Sequence, residues 1–364
     1  MIFTNFKKFI LRELIFPKTL IVDYPGVIIN NTIRRFGKGN VRTRTSYYFE
    51  DIYSNLYLDS LREMGKEEAD LLWYKIGKDS SLRYLLFLGD NKFSDNIVGL
   101  VLEHCLNTIR STGFSFSGSF SYDSKKKFLK ISGGKNVICR KTGSGSLVAG
   151  IVAGIMTYFQ RENFEAEAFC GDCSNFCIVK SCPEIEMKYF PNIEELRPMK
   201  NYASLNFSFV NSSKNFNSFG DLVKFNKIYI NNDESKIFFL GKAVLTSEIG
   251  LGELFLKNYI QIGKLDLFER SVIKSSEVLF KDLTENEDLE YKLKFVSNLI
   301  SGFGWGIPHF KKRGNVVILF IVNPLRTRYG VSHIKYIING FLNQMYGKNF
   351  KIKKSENQEI IFEC

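Results

Sequence analysis

The chain has 364 residues, 45% hydrophobic and 24% charged, with 34 Phe and 17 Tyr, so it reads as an ordinary globular protein of two or three domains. No apolar run reaches the roughly 18 residues of a membrane span, and seven cysteines are an odd count for a secreted disulfide scaffold, which points to a reducing, cytoplasmic setting. The net charge of +12 points towards acidic partners: nucleic acid, anionic membrane or an acidic protein.

The first segment, MIFTNFKKFILRELIF, alternates charged and apolar residues and reads as a docked or amphipathic helix, not a signal peptide. LIVDYPGVII reads as strand, Pro25-Gly26 turn, strand. Arg34, Arg35, Lys38, Arg42 and Arg44 form the densest basic stretch. It is either a phosphate-contacting arm or a solvated loop, and the second reading leaves nucleic acid out of the expected partners. From Tyr47 the period becomes helical. One helix ends near Gly65, and a second buries Leu71, Leu72, Ile76 and Leu82. Asp95 to Ser111 reads as a third helix. FSFSGSFSYD, KKKFLKISGG and KNVICRKT follow as strands, and Gly143 to Phe159 as a buried helix whose small residues permit close packing. The glycine-rich GSGSLVAG lacks the pattern of a phosphate-binding loop. FEAEAF and FCIVK are two short strands around a Gly171-Asp172 turn.

Three prolines, Pro183, Pro191 and Pro198, mark a linker over 183–200. Beyond it the order of elements repeats. ASLNFSFVN, KIYINN and KIFFLGKAVL read as strands, and GELFLKNYIQIGKLDLFERSVI aligns with KEEADLLWYKIGKDSSLRYLLF, pairing Gly263-Lys264 with Gly77-Lys78. Gly113-Phe114 pairs with Gly302-Phe303, Gly154 with Gly340, and Asn163-Phe164 with Asn349-Phe350. The expected architecture is α+β: two tandem related domains, 1–182 and 201–364, each an antiparallel sheet with helices on one face.

Cys170, Cys173, Cys177 and Cys182 fall within one short stretch, with Glu165 and Glu167 just before them. Thiolates are soft ligands, and zinc takes four at tetrahedral geometry. Glu167, Cys170, Cys173 and Cys177 offer four from one hairpin. Cys170, Cys173, Cys177 and Cys182-Pro183 also approach the ferredoxin run, with the later gaps longer. Buried thiols acting as small apolar side chains are the third reading.

The segments MGKEEADLLWYKIGK, SGSLVAGIVAGIMTYF and EAFCGDCSNFC resemble the 4-vinyl reductase domain family. Its relatives include small subunits of vesicle-tethering complexes and sensor domains of aromatic-responsive activators. Glu167-x-x-Cys170, Gly171-Asp172 and a closing Cys177 match the family pattern, while Cys173 and Cys182 are additional. The resemblance implies zinc on Glu167, Cys170 and Cys177. The second copy's hairpin, FKIKKSENQEIIFEC, has one cysteine, so that copy is read as having lost the site and serving as internal dimer partner. The resemblance also implies a small apolar or aromatic ligand between sheet and helices, where Trp73, Trp305 and His333 are the candidate contacts; core filling is the alternative for the tryptophans, and a helix-end residue the alternative for His333. His104, His309 and His333 are the only histidines, and no catalytic triad is arguable. The expected function is a non-enzymatic ligand-binding regulator with a structural metal site and a partner protein or homodimer. An interaction scaffold is the alternative, and a tetrapyrrole-related reductase comes third.

Overall fold

A computed structural model describes residues 20–33, 40–87, 98–99, 102–103, 113, 118–134, 138–170, 176–182, 185, 189–196, 215–231, 236–248, 250–327, 330–331, 333–356 and 358–364. The amino-terminal segment, most of Asp95–Ser111, the strand expected at ASLNFSFVN, Arg34, Arg35, Lys38, His104 and Cys173 lie outside these residues.

In the first half, β1 (Leu20–Tyr24) and β2 (Val27–Ile33) form a hairpin about Gly26, whose φ of 81° suits the turn. Next come β3 (Asn40–Phe49), α1 (Glu50–Met64) and α2 (Lys66–Phe87). The helix expected from Tyr47 starts at Glu50, because Tyr47, Tyr48 and Phe49 are held as strand by pairing with a partner from the second half. Leu72, Ile76 and Leu82 are buried as expected, but Leu71 faces solvent. β4 (Gly118–Asp123), β5 (Phe128–Gly134), α3 (Cys139–Thr142), α4 (Ser146–Gln160), β6 (Glu165–Cys170), β7 (Phe176–Cys182) and α5 (Ile193–Leu196) complete this half and the linker. A strand was expected over KNVICRKT; its second part is instead the turn at Ile138 and the short helix α3. The buried carboxylate of Glu50 accepts from Ile138 N–H (2.9 Å) and Arg140 Nε (2.8 Å) and draws this stretch away from strand geometry.

The second half runs α6 (Phe219–Lys224), β8 (Ile228–Asn231), β9 (Lys236–Phe239), β10 (Lys242–Glu248), α7 (Gly250–Gln261), α8 (Leu265–Thr284) and α9 (Leu289–Gly302). β11 (Ile307–Arg313), β12 (Val316–Val322), β13 (Arg326–Thr327), β14 (Gly330–Val331), α10 (Ile334–Tyr346), β15 (Lys351–Glu356) and β16 (Glu359–Glu363) follow.

The fold is α+β, and every strand pair among the described residues is antiparallel. One six-stranded sheet has the order β1-β2-β3-β10-β9-β8, which reads alike from either edge. Its central pair joins the halves, with Phe49 opposite Val244 and Thr45 opposite Glu248. Two four-stranded sheets have matching orders, β4-β5-β7-β6 and β11-β12-β16-β15. Helix packing is reciprocal: α1 lies on α8 and α7 on α2, while α4 packs on α2 and α10 on α8 within each half. Buried side chains from both halves form one continuous core. The described parts of residues 1–182 and 201–364 thus share an order of elements, and their buried side chains belong to one cluster.

Atomic detail repeats as well. Phe164 N–H donates to Thr157 Oγ1 (3.0 Å), and Phe350 N–H donates to Asn343 Oδ1 (2.7 Å). A Cβ on Gly154 would lie 2.5 Å from Lys78 O, and one on Gly340 would lie 2.4 Å from Ile273 O. Two sequence pairings shift. Gly263 makes the helix–helix turn that Gly65 makes, each at positive φ, so α7 corresponds to α1 and not to α2. Gly304, not Gly302, corresponds to Gly113. A Cβ on Gly113 would lie 2.9 Å from Val244 O, and one on Gly304 would lie 3.0 Å from Thr45 O. Each half therefore presses a positive-φ glycine against the other half's central strand.

Candidate functional site

The cysteine hairpin is β6–β7. On β6, Ala168 and Cys170 face the start of α4: a Cβ on Gly145 would lie 2.5 Å from Ala168 Cβ and 2.8 Å from Cys170 Sγ. Glu167 is exposed. Side chains of a strand alternate between faces, so residues three apart point to opposite sides. Glu167 and Cys170 therefore project to opposite faces of β6. The register sets Cys177 opposite Cys170 and Cys182 opposite Glu165. Along the strand this separates Cys182 from Cys177 by about 17 Å at ~3.4 Å per residue. Of the expected ligand set, Glu167 and Cys170 thus lie on opposite faces of β6, and Cys173 lies outside the described residues. Among the described residues, no group of three or more His, Cys, Asp or Glu is placed to hold a metal ion.

At the base of the same hairpin lies a buried charge network. Lys78 Nζ, from α2, is 2.9 Å from Glu165 Oε1 at the start of β6, and both side chains are buried. Lys78 also donates to Asn163 Oδ1 (2.8 Å) and to Tyr189 O (2.8 Å). Glu165 accepts from Asn163 Nδ2 (2.9 Å), Tyr189 N–H (2.7 Å) and the Tyr74 hydroxyl. Burial pulls the Lys78 ammonium below its ordinary pKa, partly offset by Glu165. Burial and then Glu165 push the Tyr74 phenol up. The matching positions in the second half are Ile273 and the exposed Lys351. The fold therefore does not require this network. Its sequence signal is Lys78-Asp79 within the apolar period of α2, reinforced by Glu165 at a strand start.

Tyr189 fixes the linker onto this network. Its hydroxyl donates to Asp79 Oδ1 at 3.0 Å, and its ring lies beneath Lys75 Nζ at 5.5 Å. Burial raises the Asp79 carboxyl from 3.8 to about 6, against the lowering by Tyr189, Lys257 and Lys78. A carboxyl raised on folding binds more protons in the folded state between those two values. Stability should therefore fall as pH rises from about 4 to about 6, by on the order of 2–3 kcal/mol. Asp79→Asn should remove this component. Urea midpoints across that window check it: the wild-type curve should fall relative to the variant, and parallel curves would exclude the assignment.

Trp73, Trp305 and His333 are all buried and lie along one aromatic chain between the halves. Trp73 packs on Phe255 (centroids 4.8 Å apart), Phe255 on Tyr53 (5.0 Å), and the Tyr53 hydroxyl meets His333 Nε2 at 2.6 Å. His333 lies 5.2 Å from Tyr48, and Tyr48 lies 6.2 Å from Trp305. Trp73 Nε1 donates to the Tyr259 hydroxyl (3.2 Å) and Trp305 Nε1 to Tyr47 O (2.9 Å). Burial lowers the His333 pKa to about 3, so the imidazole is neutral and ill suited to proton transfer near pH 7. Sequence reasoning missed Tyr48, Tyr53, Phe255 and Tyr259, because the chain joining them exists only once α1 and α7 meet.

Of the basic stretch, Arg44 is buried. It donates to the carbonyls of Pro324 (2.9 Å), Gly26 (2.9 Å), Gly304 (3.0 Å) and Asn323, and so ties β3 to the second half. It is not available to phosphate. Among the described residues, no helix is long and apolar enough to cross a membrane. No protein-family profile, curated protein or solved structure matches this chain.

Proposed function

We propose that the chain is a non-enzymatic, cytoplasmic interaction scaffold that engages an acidic, partly apolar protein through the β8–β9 edge. The observation that carries this reading is a set of exposed apolar side chains on and beside that edge: Val223 (42%) and Phe225 (57%) at the end of α6, Tyr229 (52%) on β8 and Leu240 (43%) in the β9–β10 turn. Tyr229 stacks on Phe238 at 4.9 Å, and Leu240 N–H donates to Lys227 O at 2.9 Å, which draws the α6–β8 corner and the β9–β10 turn together. Single exposed apolar residues are ordinary, whereas contiguous ones mark interaction surfaces. Lys224, Lys227 and Lys236 interleave with the patch, and the chain carries +12; acidic groups on the partner complement both. The order of strands, helices, apolar helix and hairpin that carries the resemblance to 4-vinyl reductase domains occurs in both halves. Membership of that family, on its scaffold side, is part of the proposal.

A photo-crosslinking amino acid at Tyr229, with Tyr291 as an exposed control, tests the patch in the cell of origin. The expected result is one acidic protein joined at 229, lost in Phe225→Asp and absent at 291. Equal labelling at both positions would overturn the proposal. One observation favours the second reading, a small aromatic ligand: His333 Nδ1 is buried with no hydrogen-bond partner.

A further inference from the structure

We infer that Cys170 and Cys177 form a reversible disulfide, which makes the tip of the β6–β7 hairpin a redox modification site. The two residues are directly opposite in the antiparallel register. Opposed residues in such a pair have Cα atoms about 4.5–5.5 Å apart, inside the ~4.4–6.8 Å span of disulfides. The half-buried Cys170 sulfur packs against Gly145, the residue that opens the fifteen-residue helix α4. It thus stands at the positive end of that helix. The second half has the same hairpin, and there the opposed pair at the tip is Glu356 and Glu359. The fold therefore does not demand cysteines at this position.

The step needs a low-molecular-weight disulfide such as oxidised glutathione. Cys170 loses its proton to solvent, and its sulfur attacks one sulfur of that disulfide, expelling one thiolate. Cys177, likewise deprotonated, attacks Cys170 Sγ in the mixed disulfide and expels the second thiolate. The two protein thiols lose two electrons, the external disulfide gains them, and the protons end on the two released thiols. The site does not depend on the proposed scaffold surface.

The test is a titration of the full chain in glutathione buffers of graded ratio, followed by alkylation and peptide mapping. The expected result is loss of two alkylation sites together, a Cys170–Cys177 linked peptide and full reversal by dithiothreitol. Cys177→Ser should stop at a glutathione adduct on Cys170, while Cys173→Ser should leave the link intact. The wild-type map does not depend on any variant folding. A Cys170–Cys173 link, the absence of any internal link, or tightly bound zinc shielding these thiols would each overturn the inference.

Discussion

Gly150→Ala should cost about 3 kcal/mol or more, at or beyond the upper end of ordinary overpacking. A Cβ at Gly150 would lie 2.0 Å from Tyr74 O and 2.8 Å from Lys78 N. These are backbone atoms of α2, so no rotamer change relieves the clash and the two helices must separate. The crossing is meshed from both sides: a Cβ on Gly77 would meet Leu147 O at 2.1 Å, and one on Gly154 would meet Ser81 Oγ at 2.1 Å. Separating α2 from α4 also disturbs α7, which packs on α2 from the second half. The melting temperature should fall by roughly 5–10 °C. Gly220→Ala is the control. Its Cβ meets only Ser218 Oγ, at 3.7 Å, so the change should stay within about 0.5 kcal/mol. If the two variants melt together, the close crossing is not present.

Glu165→Ala should cost about 3–5 kcal/mol, because it leaves the Lys78 ammonium buried without its carboxylate. It also removes the acceptor for Tyr189 N–H and Asn163 Nδ2, which loosens the linker. The paired change Lys78→Met/Glu165→Met should recover much of the loss, since an apolar pair carries no charge desolvation cost. The second half supports this expectation, with Ile273 in place of Lys78. Urea unfolding of the two single variants and the double variant gives the coupling directly. Additive losses would mean that the pair does not interact in solution.

Several parts of the fold were legible because they depend on local chemistry. The apolar run at 143–159 predicts α4, and the alternation of FEAEAF and FCIVK predicts the β6–β7 hairpin. The repeat was legible where the spacing is equal, from Gly154/Gly340 to the closing hairpins. It was misaligned at Gly77/Gly263, because an Ile-Gly-Lys string occurs within α2 and again at the α7–α8 turn. The joint sheet was not legible: pairing of β3 with β10 is a long-range choice, and neither strand's pattern names its partner. The placement of Glu167 relative to Cys170 was not legible, for a simple geometric reason. Cysteine spacing along a chain does not encode which face of a strand each residue occupies, and Glu167 and Cys170 fall on opposite faces. The Lys78–Glu165 pair was hidden because its members lie on α2 and β6 and are joined only by the fold.

The claim that the aromatic chain is a filled core, and that binding occurs on the surface, is tested most directly by tryptophan emission. Trp73 and Trp305 are the only two tryptophans, and both report from that chain. The wild-type protein is titrated with phenol and with toluene as small aromatic probes. The account predicts a flat emission spectrum through the titration, beyond the linear collisional quenching shown by an unrelated protein. A saturable change in emission that is lost in a folded Trp305→Phe variant would contradict it and place a ligand between the halves.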